Sequence, residues 1–128
     1  MPIFGKGNDP EEPSYATNNS LRKRIEEAEK IGQKYPDRVP CVVERAESSR
    51  NSLPPIDKKK YLVPDDITFG QFIHIIRKRI KVSPEQAVFL YVNNVLPPAS
   101  LTMRQIYQEH KGEDGFVSVV YQAENSFG

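Results

Sequence analysis

Apolar residues first recur at helical spacing at Leu21, Ile25, Ala28, Ile31 and Tyr35, with charges filling the other faces. The spacing predicts a two-faced helix of about four turns. Asn19 or Ser20 can cap its start and Pro36 ends it. Val39-Pro40-Cys41-Val42-Val43-Glu44 then reads as a strand with a proline near its start. Residues 46–57 are polar, carry Pro54-Pro55 and read as a loop. Lys58–Pro64 reads as a second strand, and its leading lysines and closing proline suit a sheet edge.

The clearest local signal lies at Thr68, where Gln71 supplies a capping box and Ile67 with Phe72 a hydrophobic staple. Phe69, Phe72, Ile73, Ile76 and Ile80 define the apolar face of the helix that follows. The device repeats at Leu101-Thr102 with Gln105 and Ile106, placing a helix near Met103–His110 that Gly112 is expected to end. Between them, Ser83–Gln86 reads as a capped single turn. Ala87–Val92 is a continuous apolar run, expected to be a central strand. Asn93-Asn94 and Asp114-Gly115 read as turns, and Phe116–Tyr121 as the last strand. After the leading helix the order is strand, strand, helix, strand, helix, strand. That order implies an α+β fold with helices on one sheet face, and it matches the ubiquitin-like β-grasp with an added N-terminal helical segment. Residues 1–19 read as a flexible arm with a possible helical turn near Glu11–Tyr15, 20–122 as the domain and 123–128 as a tail.

Composition narrows the chemistry. The chain has 128 residues, 27% of them charged, with a net charge of +1. A balance so close to neutral gives no general case for nucleic acid. The local cluster Arg77-Lys78-Arg79-Lys81 reads as a solvated helix end that complements the helix dipole. Cys41 is the sole cysteine, so no internal disulfide can form, and one Cys with two His cannot build a Cys/His zinc site. Cys41 with His74 or His110 makes a poor nucleophile pair, because a lone cysteine between Pro40 and Val42 on a strand is expected to be buried and inert. His74 reads as a helix-surface residue. Met1–Gly7 has no apolar core of signal-peptide length, and no stretch approaches a membrane span. No metal or cofactor is expected.

Several separate strings resemble the autophagy ubiquitin-like modifier family, which includes the GABA-A-receptor-associated protein and the microtubule-associated light-chain type. They are Ile56-Asp57-Lys58-Lys59-Lys60-Tyr61-Leu62-Val63-Pro64, Phe69-Gly70-Gln71-Phe72, Ile76-Arg77-Lys78-Arg79-Ile80, Val95-Leu96-Pro97-Pro98 and Ile106-Tyr107-Gln108-Glu109-His110-Lys111. The close, Asp114-Gly115-Phe116 and then Glu124-Asn125-Ser126-Phe127-Gly128, belongs with them. The resemblance implies a non-enzymatic modifier. Its terminal glycine, here Gly128, is adenylated, passed through the thioester carriers of activating and conjugating enzymes, and joined to phosphatidylethanolamine. A processing and deconjugating cysteine protease belongs to the same pathway. The implied location is cytoplasmic, and on the autophagosome membrane once lipidated.

The resemblance further implies two surface pockets for receptor motifs of the form aromatic-x-x-aliphatic. Lys60 and Leu62 would line one with Glu27, Ile31, Pro40, Val42 and Phe116. Tyr61, Val63, Pro64, Ile67, Phe72, Ile75 and Arg79 would line the other, with Phe72 equally suited to the core. Lys60, Arg38 and Arg79 would favour acidic residues beside the motif. The physical setting for such binding is an edge strand that offers its backbone to an extended peptide. Two departures stand out: the arm carries the acidic stretch Asp9–Tyr15 in place of a basic, Phe-containing segment, and loop 46–57 is longer than is usual in the family. A non-conjugated ubiquitin-like interaction module is the alternative reading.

Overall fold

The computed structural model describes residues 20–123. The arm at 1–19, with its turn near Glu11–Tyr15, and residues 124–128 lie outside the described residues. The elements are α1 (Leu21–Lys34), β1 (Arg38–Arg45), β2 (Lys60–Pro64), α2 (Phe69–Ile80), β3 (Phe89–Val92), α3 (Met103–His110) and β4 (Val117–Gln122). A 3-10 turn, Glu47–Ser49, follows β1.

The strands form one four-stranded sheet in the order β2-β1-β4-β3. The central pair, β1 and β4, runs parallel, and each outer strand is antiparallel to its neighbour. β1 carries a proline at an inner position, which would normally interrupt a ladder. Val43 donates to the Lys59 carbonyl at 2.7 Å, so by antiparallel alternation Cys41 and Val39 also bond across to β2 while Pro40 turns its nitrogen the other way. On that other side β4 pairing begins only at Cys41, opposite Val117. Pro40 therefore removes no ladder bond.

Strand alternation then separates two apolar layers. Val39, Cys41, Val43, Val63, Leu90, Val92, Val117, Val119 and Tyr121 face α2 and α3, whose Phe69, Phe72, Ile76, Ile80, Met103 and Ile106 complete the main core. The opposite face carries a smaller cluster of Ile31 from α1 with Val42 and Phe116. α2 and α3 thus share one face, and α1 covers part of the other.

The two capping boxes form as expected, and they also serve each other. Thr68 and Thr102 each accept from the backbone of their own Gln partner, Gln71 and Gln105. The next donors cross over: Phe69 and Gly70 bond to the carbonyls of Leu101 and Ala99, and Met103 and Arg104 to those of Ile67 and Asp65. The first-turn amides of both helices, which have no partner within a helix, are satisfied by the other helix's entry segment. Gly70 permits this approach, since a Cβ there would stand 3.3 Å from the Ala99 Cβ.

Several expectations are corrected. β3 is an edge strand, not a central one. Its run of apolar residues reports burial on both faces, with Leu90, Tyr91 and Val92 all buried, and burial on both faces does not fix a place in the sheet. β3 also starts at Phe89, leaving Ala87 and Val88 outside it, and β2 starts at Lys60. Gly112 does not end α3. Lys111 caps it in an extended conformation, and Gly112 bonds to the Phe116 carbonyl instead. The left-handed helix cap falls on Lys81 at the end of α2, with φ 56°. Ser83–Gln86 is a single turn closed by Gln86 N–H to the Ser83 carbonyl. Residues 46–57 form a loop apart from the Glu47–Ser49 turn, as read, and bury Leu53 and Ile56 in the main core.

Candidate functional site

β2 is an edge strand, paired on one side to β1. Its register sets Leu62 opposite Pro40 and Lys60 opposite Val42, so these four share a face. Tyr61 and Val63, opposite Cys41 and Val39, share the other. In the same alternation the Leu62 backbone groups point away from β1. Its carbonyl accepts from Arg38 Nη1 at 3.3 Å, which places a guanidinium on the outer edge of the strand.

On the α1 face, Ile31, Val42 and Phe116 form a buried floor, and Leu62, Ala28 and Tyr35 pack half-buried around it. Pro40 lies buried beside them. At the rim the Lys60 ammonium donates to both carboxylate oxygens of Glu27, at 3.1 and 3.4 Å. An apolar floor with a charged rim suits a side chain that is largely apolar with one polar edge. All seven residues assigned to this set, Glu27, Ile31, Pro40, Val42, Lys60, Leu62 and Phe116, therefore meet in one place. Ala28 and Tyr35 were not assigned to it. They lie three residues before and four after Ile31 on the same helix stripe, which is the signal that finds them.

On the α2 face the second set divides. Val63 and Phe72 are 4% and 1% exposed and belong to the core. They support the surface from beneath and present none of it. Ile67 is half-buried against that core, and Ile75 is exposed. The Arg79 guanidinium lies 5.9 Å from the centre of the Tyr61 ring and 3.6 Å from an Asp57 carboxylate oxygen. The Tyr61 hydroxyl is buried without a hydrogen-bond partner, and burial pushes its pKa up to about 12. Pro64, last in β2 and exposed, falls by alternation on the Leu62 side, apart from Tyr61 and Val63. Asp57, absent from the assigned set, enters it through Arg79.

Cys41 is fully buried, and burial drives its thiol far above the ordinary range, so the nucleophilic thiolate is suppressed. His74 is exposed on α2. Among the described residues no group of His, Cys, Asp and Glu could hold a metal ion, and no helix is long and apolar enough to cross a membrane. Gly128 lies outside the described residues.

The family described as "Autophagy protein Atg8 ubiquitin like" matches residues 23–128. The chain belongs to the Atg8 family. As a member it is an autophagy ubiquitin-like protein with the ubiquitin-like fold. It is 55% identical over 115 residues to autophagy-related protein 8d of Arabidopsis thaliana, covering 90% of this chain and 94% of that one. It is 54% identical to autophagy-related protein 8 of Mycosarcoma maydis, covering 90% and 96%. Among solved structures, Trypanosoma brucei ATG8 superposes with a TM-score of 0.81 at 36% identity, over 92% of this chain and all of that one. The Atg8 match spans all the residues of both clusters and extends to Gly128.

Proposed function

We propose that this Atg8-family protein is a lipid-conjugated adaptor of autophagosome membranes, joined through Gly128 to phosphatidylethanolamine and binding receptor proteins along β2. The observation that carries the reading is the edge strand whose two faces lead to different surfaces, the Ile31–Leu62–Phe116 cluster on one side and Tyr61, Ile67, Ile75 and Arg79 on the other. An extended peptide added to such an edge sends alternate side chains to opposite faces. A motif with an aromatic residue, two spacers and an aliphatic residue fits this division: the aromatic ring on the α1 side, the aliphatic residue towards α2. Arg38 at the outer edge and Arg79 beside Tyr61 favour acidic neighbours, mainly by speeding encounter. Two apolar anchors and a few backbone bonds support dissociation constants of about micromolar order, which clustering on one membrane would strengthen.

The conjugation chemistry needs no catalytic group from this chain. The Gly128 carboxylate attacks ATP to form an acyl-adenylate with release of pyrophosphate. A cysteine thiolate of the activating enzyme displaces AMP, and a second carrier thiol takes the acyl group by exchange. The phosphatidylethanolamine amine then attacks the thioester, forming the amide and releasing the thiol. A modifier and adaptor role, rather than catalysis, accords with the buried, protonated Cys41.

Incubation with the pathway's activating and conjugating enzymes, ATP and phosphatidylethanolamine vesicles, followed by mass spectrometry, tests the first half. The lipid adduct is expected for the unsubstituted protein and absent for Gly128→Ala. Calorimetry with a receptor peptide tests the second, where Lys60→Ala is expected to weaken binding without loss of folding. Peptide binding with no lipid adduct beside a working control would make the protein a non-conjugated interaction module.

A further inference from the structure

We propose that Ser49 is a positioning residue for the Gly128 end of the chain, its buried hydroxyl fixing the point at which the polypeptide leaves the sheet. This rests on the reading of Gly128 as the conjugated residue. The parallel ladder between β1 and β4 proceeds to Arg45 opposite Tyr121, and Ala46 N–H then donates to the Tyr121 carbonyl at 2.9 Å. In a regular parallel ladder the Ala46 carbonyl would next accept from Ala123 N–H. Here that carbonyl is taken by Ser49 N–H at 3.0 Å, as the chain turns into the Glu47–Ser49 segment. The Ser49 hydroxyl stands in for it, accepting from Ala123 N–H at 2.9 Å. Ser49 is 3% exposed, the one buried polar residue among those described.

Its surroundings leave it little freedom. Ser52 and Leu53 N–H donate to the Ser49 carbonyl, the Arg45 guanidinium holds the Leu53 carbonyl at 2.8 Å, and the Tyr121 hydroxyl donates to the Pro54 carbonyl at 2.7 Å. Leu53 and Ile56 anchor the loop in the core. The loop is thus a bracket around the end of β4, and Ser49 is its contact with the departing chain.

In the sequence five residues, 124–128, follow Ala123. Five residues span at most about 17 Å, and each further residue released adds about 3.4 Å. The place of release therefore decides whether the Gly128 carboxylate reaches the reaction centre of an enzyme docked on the folded body. Holding Ala123 also removes conformations that point the chain elsewhere, which raises the effective concentration of the carboxylate at that centre.

The test measures thioester formation on the activating enzyme with full-length protein and ATP. Ser49→Ala is expected to lower kcat/KM about threefold to tenfold, the range one lost hydrogen bond supports. Ser49→Thr keeps the hydroxyl and should stay within about twofold of the unsubstituted protein. Amide exchange should show Ala123 deprotected in Ser49→Ala while Val119 and Tyr121 remain protected. An unchanged kcat/KM in Ser49→Ala overturns the proposal and leaves the conjugation reading intact. Equal losses in both variants, or deprotection that extends through β4, also overturn it, because Ser49 would then be merely structural. If the unsubstituted protein is never charged, the conjugation reading falls and this role falls with it.

Discussion

Three buried or strained side chains set the protein's properties at the residue scale. Tyr61 and Tyr121 both have phenols whose pKa burial pushes from 10 to about 12. The folded state therefore keeps protons that the unfolded chain gives up above pH 10. By linkage, stability from these groups is fully present below pH 10 and is lost as pH rises through about 12. A series of chemical denaturation midpoints between those limits should show the decline, and phenolate absorbance should show Tyr61 and Tyr121 titrating near 12. Tyr121→Phe should make the decline shallower. Lys81 occupies the left-handed region at φ 56°, where a side chain is strained and glycine is not. Lys81→Gly should stabilise the fold by about 1 kcal/mol or less in denaturant titration, the left-handed strain of roughly 1–2 kcal/mol less the roughly 0.5–1 kcal/mol of extra freedom that glycine loses on folding. Neither feature was legible in the sequence. A lysine after an apolar helix face looks like ordinary dipole complementation, and tyrosine burial depends on what the loop at 46–57 covers. The burial of Cys41 was legible, because flanking apolar strand residues report it directly.

Helix starts were readable at the scale of elements because their determinants are local. Each of Thr68 and Thr102 carries its Gln partner three residues on, and both boxes form. The crossing of their spare amides was not readable, since it joins segments far apart in sequence. It has a measurable consequence. Thr102→Ala should cost about 1 kcal/mol, the usual worth of such a cap. Combined with Thr68→Ala it should cost less than the sum of the two, because Thr68 and Thr102 bridge each other and share the same entry segments. Urea melts of the two single variants and the double variant decide this. β3 shows the opposite case. Its apolar run was read as central, yet pairing partners are a long-range property, and an edge strand covered on both faces has the same composition. β2 was placed at an edge correctly from its lysines and proline, which mark solvent on one side.

At the scale of the whole molecule, the sheet keeps two apolar layers separate. The α1-side cluster was legible from strand alternation combined with the family resemblance, and its seven residues do come together. The α2 side was less legible, because Phe72 and Val63 have side chains that suit a core and a binding surface equally well. Substitution should separate the two layers. Phe72→Ala empties part of the main core and should cost about 3–5 kcal/mol in thermal or urea unfolding. Leu62→Ala, half-buried at the rim, should cost only about 1 kcal/mol while weakening receptor-peptide affinity in calorimetry. A large loss of affinity in Phe72→Ala protein that remains folded would return that side chain to the binding surface.

The parallel pairing of β1 with β4 also governs the order of events during synthesis. Cys41 emerges early from the ribosome but cannot complete its neighbourhood until Val117 follows. The hairpin of β1 and β2 must therefore wait, with one flank open, through the making of both helices and β3. Closure of the sheet waits on β4, so the two apolar layers are sealed only after both helices and β3 have been made.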